Sequence, residues 1–154
     1  MAILIERSCT PIFSSKMNTD SNSDGVVDDF TSWVESTVTA TFALDSSAQK
    51  ISITNSTGGG QARVSSVKFN VLPNTVYSFQ VLVRGIVQSG IFVHEISIMW
   101  LDSTGTLISY ANYGQKTPNN FWELIRLENI ISPTNAATAQ ILLRTRVSAT
   151  GGTG

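Results

Sequence analysis

One short segment of the sequence places several oxygen-bearing side chains at a spacing with a specific chemical use. Asp20, Asn22 and Asp24 alternate with serines, Gly25 follows directly, and Asp28 comes three residues later. Carboxylate and amide oxygens are the ligands that Ca²⁺ takes in proteins, and a glycine allows the sharp turn that such a loop needs. The spacing therefore predicts a calcium site formed by Asp20, Asn22, Asp24 and Asp28.

An EF-hand and a plain turn are two other interpretations of this segment. An EF-hand needs a bidentate Glu at position 12 of the loop, where this sequence has Thr31, and it needs flanking helices that the sequence does not indicate. Asp, Asn, Ser and Gly also favour turns, so the same residues suit a solvated turn without an ion. A calcium loop and a plain turn are the alternatives that remain.

The composition limits the classes of function. At 154 residues the chain has the length of one domain with a substantial core. The net charge is −1 and no basic cluster occurs, so we expect no nucleic-acid partner. No apolar run approaches the ~18 residues of a membrane span, and the apolar segment 2–5 is too short for an export signal. Cys9 is the single cysteine, which excludes a disulfide within the chain.

Alternation of apolar and polar residues indicates strands throughout the sequence. Residues 38–44 place apolar side chains on one face, and residues 139–147 give the clearest two-faced pattern. Turn-forming residues separate these segments, and no period of 3.6 is present. The remaining predicted strands include residues 49–55, 62–71, 77–84 and 95–101. We predict an all-β fold, an antiparallel β-sandwich of jelly-roll type.

The same pattern predicts the domain organisation and the position of the tryptophans. Residues 1–154 form one domain, with a leading arm over 1–17 and a flexible glycine-rich tail over 148–154. Because each tryptophan accompanies an apolar alternation, we expect Trp33, Trp100 and Trp122 mostly in the core.

The sequence offers little for catalysis. A serine triad needs a histidine, and the only one, His94, has no carboxylate at a recognisable motif. Glycosidic cleavage needs two facing carboxylates about 5 to 9.5 Å apart. Glu95, Glu123 and Glu128 are the candidates on predicted strands, and the odd spacing of the last two puts them on opposite faces. We therefore predict that the protein is not an enzyme.

Polar strand faces and one loop offer groups that bind sugars. Aromatic rings stack on the apolar faces of pyranose rings, and planar polar side chains bond to hydroxyls. Because one sheet of a jelly roll is concave, we expect these residues to form one continuous shelf. The predicted carbohydrate-binding residues are Gln80, Arg84, Tyr110, Tyr113, Gln140, Arg144 and Arg146.

The order of these signals resembles the bacterial carbohydrate-binding modules with a calcium-stabilised jelly roll, such as those attached to xylanases and cellulases. The resemblance is carried by the acidic loop with Trp33 after it, by residues 62–66 leading to 72–79, and by residues 99–105. Trp122 and residues 133–146 complete it. It implies a noncatalytic module that binds calcium and attaches to a cell-surface or cell-wall polysaccharide.

Two departures from that family open an alternative. Family members usually end with one more strand, whereas this sequence stops at Gly154 inside the preceding turn. Either the native sequence continues with that strand, or the closing strand comes from residues 3–5 or from a neighbouring subunit in a homo-oligomer. In this sequence we therefore expect an unpaired sheet edge beside residues 139–147. The chain also starts at Met1 without an export signal. This context favours a structural or assembly protein of a virus particle, such as a bacteriophage capsid decoration or tail protein, on a virion or extracellular surface.

Overall fold

The computed structural model describes residues 12, 13, 15, 17, 19–45, 48–56, 59–86, 92–111 and 114–147. Within these ranges the chain forms eleven strands. They are β1 (Phe30–Val34), β2 (Val38–Leu44), β3 (Gln49–Ser56), β4 (Gly60–Ser66), β5 (Phe69–Asn70), β6 (Val76–Val83), β7 (Phe92–Leu101), β8 (Leu107–Tyr110), β9 (Gly114–Lys116), β10 (Glu123–Ile131) and β11 (Thr138–Val147).

The strands form one large sheet and two strand pairs, all antiparallel. The large sheet has the order β1-β4-β11-β7-β8, with β5 also paired to β11 and β9 to β7. The pairs are β6–β10 and β2–β3. Apart from the consecutive β7 and β8, neighbours along this order are far apart in the sequence, which requires the chain to cross between layers. The predicted fold class, an antiparallel β-sandwich of jelly-roll type, is confirmed.

Alternation decides which side chains enter the core between the layers. On β7, Ile96, Ile98 and Trp100 are buried on the inner face of the large sheet. They pack against the inner face of the β6–β10 pair, where the rings of Phe79 and Trp100 lie 6.2 Å apart in an edge-to-face arrangement. The residues of β7 that alternate with them, including Glu95, therefore point to the outer face of the large sheet.

The expected open edge beside residues 139–147 is wrong. β11 lies in the middle of the large sheet, where it pairs with β7 along its whole length. On its other side it pairs with β4 at Leu142–Val147 and with β5 at Thr138 and Ala139. Both edges of β11 are therefore occupied, and the argument for a neighbouring subunit at this position fails.

The prediction for the tryptophans is right for one and wrong for two. Trp100 is buried, whereas Trp33 and Trp122 are 41% and 52% exposed. Both exposed rings lie beneath an arginine, Arg63 at 4.6 Å from the centroid of Trp33 and Arg84 at 5.5 Å from that of Trp122. A guanidinium group covers part of each ring, so an indole is accommodated outside the core.

Some predictions fall on residues outside the described ranges. These are Cys9, the tail over 148–154 and most of the leading arm over 1–17. In the part of the chain that the structure describes, no helix has the length and apolarity of a membrane span.

Candidate functional site

The outer face of the large sheet carries a row of side chains that crosses five strands. Strand register places each member directly opposite the next, so the row is straight and perpendicular to the strands. Since neighbouring strands lie about 4.8 Å apart, the row extends for roughly 19 Å. From β1 to β9 its members are Trp33, Arg63, Arg144, Glu95 and Gln115.

Glu95 is the centre of this row. Its side chain is only 1% exposed, yet three side chains from two strands, β11 and β9, contact its carboxylate. Oε2 lies 3.3 Å from Arg144 Nε, and Oε1 lies 3.2 Å from Arg146 Nη1. The amide of Gln115 donates to Oε1 at 2.6 Å. A buried carboxylate needs such compensation because it has lost its hydration.

The two arginines that bind Glu95 differ in exposure and therefore in what else they can contact. Arg144 has a side chain that is 12% exposed, and it also donates to Ser97 Oγ at 3.1 Å and to Gln61 Oε1 at 3.5 Å. Arg146 has a side chain that is 58% exposed. Arg144 therefore holds neighbouring side chains of the site in position, whereas Arg146 presents its guanidinium group to solvent.

A cleft of about 800 Å³ opens over this end of the row. One wall is formed where Gly60 approaches the β1–β2 turn, and a Cβ on Gly60 would lie 2.5 Å from Val38 Cγ2 and 2.6 Å from Thr37 Oγ1. Glycine is required there because no side chain fits. The lining residues are Glu35, Thr37, Gly59, Gly60, Gln61, Val93, Glu95, Gln115, Arg144, Arg146 and Val147.

The structure brings only some of the predicted carbohydrate-binding residues together. Arg144 and Arg146 line the cleft. Gln140 and Tyr110 lie on the same outer face, on either side of Met99, and the Gln140 amide donates to Ser66 O at 2.7 Å. Tyr113 lies outside the described residues.

Gln80 and Arg84 do not join this group, so the prediction of one continuous shelf is wrong. Gln80 is exposed on β6 and pairs with Arg126 of β10 on the outer face of the strand pair. Arg84 covers Trp122 on that same face. The two layers of the sandwich therefore separate these residues from Arg144 and Arg146.

The acidic loop is described in full and is held by local hydrogen bonds. Asp20 accepts from the backbone N–H groups of Asp24 at 3.2 Å and Gly25 at 2.9 Å. Asp28 Oδ1 accepts from the backbone N–H of Ser21 at 2.9 Å. The Asn22 amide donates to Asp24 Oδ2 at 3.0 Å. Across the described ranges, no group of three or more Asp, Glu, His or Cys side chains is close enough to share a metal ion. The calcium site stays a prediction.

Gln49 fastens this loop to the sandwich. Its Oε1 accepts from the backbone N–H of Val27 at 2.9 Å, and its Nε2 donates to Gly25 O at 2.9 Å. Gly25 has φ +83°, and a Cβ there would collide with the carbonyl of Phe42 on β2. The loop is therefore seated against β2 and β3 by a side chain that its own motif does not contain.

His94 lies on the inner face of the large sheet, behind the cleft. Its Nδ1 lies 3.1 Å from Thr145 Oγ1, and its Nε2 is buried with no hydrogen-bond partner among the described residues. Burial lowers the pKa of His94, and the negative charge of Glu123 opposes part of that shift. The neutral imidazole is the form that this environment favours.

Several residues of the cleft were not predicted from the sequence. Gln61 lies on β4, Gln115 on β9 and Glu35 in the β1–β2 turn. Only the pairing of β4 with β11, of β11 with β7 and of β7 with β9 shows that Gln61 and Gln115 converge on one cleft. From the sequence, Glu95 is only a candidate for glycosidic cleavage, not a residue of a binding site. Its position among polar residues of β7, opposite the apolar Ile96 and Ile98, was the one available signal that it faces away from the core.

Comparison with known proteins supports the fold. No protein-family model and no curated protein matches this sequence. Among solved structures, the chain is similar to a carbohydrate-binding module from the β-sandwich superfamily, with a TM-score of 0.58 and 18% identity over 90% of this chain. The chain has the fold of a β-sandwich carbohydrate-binding module. The resemblance inferred from the sequence is thus confirmed for the fold.

A second similar structure comes from a virus. It is the enzymatically active domain of tailspike protein 4 of bacteriophage CBA120, with a TM-score of 0.52 and 19% identity over 89% of this chain. The chain spans 57% of the carbohydrate-binding structure and 20% of the tailspike structure. At these identities the two matches establish a shared fold.

Proposed function

We propose that this chain is a noncatalytic glycan-binding module that binds a polysaccharide in the cleft on the outer face of the large sheet. The observation that carries this proposal is the fixed presentation of Arg146 by the buried carboxylate of Glu95. A guanidinium group has five N–H donors in a rigid plane, and Glu95 is bound by one terminal nitrogen of Arg146. The remaining donors suit sugar hydroxyls.

The rest of the row supplies the other contacts that a sugar needs. Gln61 and Gln115 bring side-chain amides to the cleft. Trp33, at the far end of the row, offers a half-exposed indole on which a pyranose ring can stack. Because these groups are held by strands and by one another, little conformational entropy is lost when a glycan binds.

The carboxylates support the noncatalytic part of the proposal. Both oxygens of Glu95 are already in contact with guanidinium groups, so neither is available to a glycosidic oxygen. Glu123 pairs with Lys116 and Glu128 with Arg126, each at 3.6 Å, and neither glutamate lines the cleft. A facing pair of available carboxyl groups, which glycoside hydrolysis requires, is not formed by these three residues.

Binding at such a site is weak for one chain. With one exposed arginine and few aromatic contacts, we expect affinities from millimolar to high micromolar, about −4 to −6 kcal/mol. Attachment to a cell-surface or cell-wall polysaccharide then depends on several copies acting together.

The test compares two arginines on opposite sides of the sandwich. Affinity electrophoresis through gels containing arabinoxylan, β-1,4-galactan or purified cell-wall polysaccharide measures binding of the wild type, Arg146→Ala and Arg84→Ala. We expect Arg146→Ala to weaken binding about tenfold or more, with an unchanged melting temperature, and Arg84→Ala to bind like the wild type. The proposal fails if no polysaccharide retards the wild type, or if only Arg84→Ala loses binding.

A second candidate function is favoured by the opposite side of the molecule. The outer face and ends of the β6–β10 pair expose large apolar side chains, and exposed apolar patches mark contact surfaces. This supports a structural or assembly protein, forming homo-oligomers on a virion or extracellular surface. The exposed apolar residues on this side of the molecule are Val76, Leu82, Phe121, Trp122 and Ile131. Light scattering of the wild type should give a mass above that of one chain. Leu82→Lys should reduce that mass. A monomeric wild type would reject this candidate.

A further inference from the structure

We propose that Glu95 sets the charge selectivity of the cleft, so that the cleft takes an uncharged polysaccharide and discriminates against acidic ones. This inference rests on the proposed function and specifies its substrate class. It concerns a residue that need not touch the glycan, because Glu95 acts through the two arginines that it binds.

The formal charges of the residues that line the cleft cancel. Its described lining contains two glutamates, Glu35 and Glu95, and two arginines, Arg144 and Arg146. The sequence segments that adjoin these lining strands outside the described ranges contain no Asp, Glu, Lys or Arg. They are residues 57–58, 87–91, 112–113 and 148–154. A cleft with this balance gives a carboxylated glycan no net electrostatic attraction.

Glu95 is the residue on which the balance depends. It lies within 3.3 Å of one arginine and 3.2 Å of the other, and it is the buried member of both ion pairs. Without its charge, two guanidinium groups would face the cleft, and guanidinium groups bind carboxylate and phosphate in a bidentate manner. With its charge in place, an acidic sugar must compete with Glu95 for Arg146 and is repelled by Glu35 as well.

The N–H groups of Arg146 remain useful to an uncharged ligand. Sugar hydroxyls accept hydrogen bonds from a guanidinium group whether or not its charge is balanced nearby. Glu95 therefore removes an attraction for anions while it keeps the donors in position. This separates selectivity from affinity, and the two can be measured independently.

The experiment uses pairs of polysaccharides that share a backbone and differ in charge. Arabinoxylan is paired with glucuronoxylan, and fully methyl-esterified polygalacturonan with polygalacturonate. We expect the wild type to bind the uncharged member more tightly at low ionic strength. Glu95→Gln, which keeps the shape of the side chain, should shift the acidic-to-neutral affinity ratio about tenfold toward the acidic member, and added salt should reduce that shift.

Two further variants keep the test decisive. Glu35→Gln removes one negative charge from the cleft, as Glu95→Gln does, but leaves the buried contacts of Glu95 intact. It should shift the ratio in the same direction by a smaller factor, and it keeps the test available if Glu95→Gln folds poorly. The double variant Glu95→Gln/Arg146→Gln restores a formal charge of zero. Because Arg146 is lost, its affinity for both members of a pair should fall, but the ratio should return toward that of the wild type.

The outcomes distinguish this inference from the function on which it rests. If the wild type binds neither member of either pair, the proposed function fails and the inference fails with it. If the wild type binds both members of a pair equally, or if Glu95→Gln and Glu35→Gln leave the ratio unchanged, the charge inference alone is overturned. Equal loss of both ligands in Glu95→Gln, with no shift in Glu35→Gln, assigns Glu95 a purely structural role and also overturns it.

Discussion

The acidic loop at residues 19–28 and the contacts around Glu95 satisfy their carboxylates in opposite ways. In the loop, the donors are mainly backbone N–H groups that lie two to seven residues away in the sequence. Around Glu95, the donors are side chains that lie 20 residues away for Gln115 and 51 for Arg146. The loop is largely exposed, and Glu95 is buried.

This difference shows what each kind of carboxylate contributes. A carboxylate bonded to its own loop fixes a turn and costs little if removed, because water replaces the lost partners. A buried carboxylate bonded to side chains from other strands fixes the relative positions of those strands. Its removal leaves charged groups without compensation. The loop therefore shapes one segment, whereas Glu95 organises a face of the sandwich.

The largest effect is expected at Glu95. Replacement by Ala leaves the mostly buried Arg144 without its carboxylate and should lower the free energy of unfolding by about 3–5 kcal/mol, measured by urea denaturation. The matched control is Glu128→Ala, which breaks an exposed pair with Arg126 and should change stability by less than about 0.5 kcal/mol. Equal effects in the two variants would remove the distinction between the two regions.

Calcium tests the other region. If the loop binds Ca²⁺ through Asp20, Asn22, Asp24 and Asp28, the ion should stabilise the fold by about 4 kcal/mol at 1,000 times its dissociation constant. Thermal unfolding in calcium and in chelator measures this, with magnesium as the control for a general effect of divalent ions. Identical melting temperatures would mean that the backbone N–H donors alone hold the turn.

Gln49 connects the loop to strands, so its removal should have an intermediate effect. Gln49→Ala leaves the N–H of Val27 and the carbonyl of Gly25 without this partner. We expect a loss of about 1–3 kcal/mol in denaturant unfolding. Gln80→Ala, which truncates an exposed glutamine on β6, serves as the control and should stay within about 0.5 kcal/mol of the wild type. A cost for Gln49→Ala no larger than that of the control would show that the loop does not depend on this contact.

The smallest effect concerns pH, and it comes from neither group of carboxylates. Because the pKa of His94 is lower in the folded chain than its ordinary value of 6.5, the unfolded chain binds more protons in this range. Stability is therefore greatest above pH 6.5 and falls as the pH drops through that value toward the folded pKa. Urea midpoints between pH 8 and 5.5 should decline in the wild type and flatten in His94→Gln; an equal decline in both would assign it to other groups.

The fold was predictable because its signals are local. The alternation in residues 38–44 corresponds to β2, and that in residues 139–147 corresponds to β11 within one residue. The turn-forming residues of the acidic loop likewise bond within their own segment. In each case, the physical cause lies within a few residues of its effect.

The site was only partly predictable, since alternation shows that a side chain points outward but not to which sheet it belongs. Gln80 and Gln140 have equivalent patterns in the sequence, yet they lie on opposite sides of the sandwich. Trp33 is expected in the core because it accompanies an apolar alternation, whereas the register places it opposite Arg63 on the outer face. Such assignments depend on strand order, which no local pattern contains.

The central position of β11 has a consequence for how this chain is made. In the described sheet, β4 and β7 are each paired to β11 and not to one another. The large sheet cannot form until residues 138–147 have left the ribosome. Until then, the edges of β4 and β7 that pair with β11 stay unpaired. A translation product that ends before residue 138 therefore leaves one edge of β4 and one edge of β7 unpaired, and it is prone to aggregate rather than to form a smaller domain.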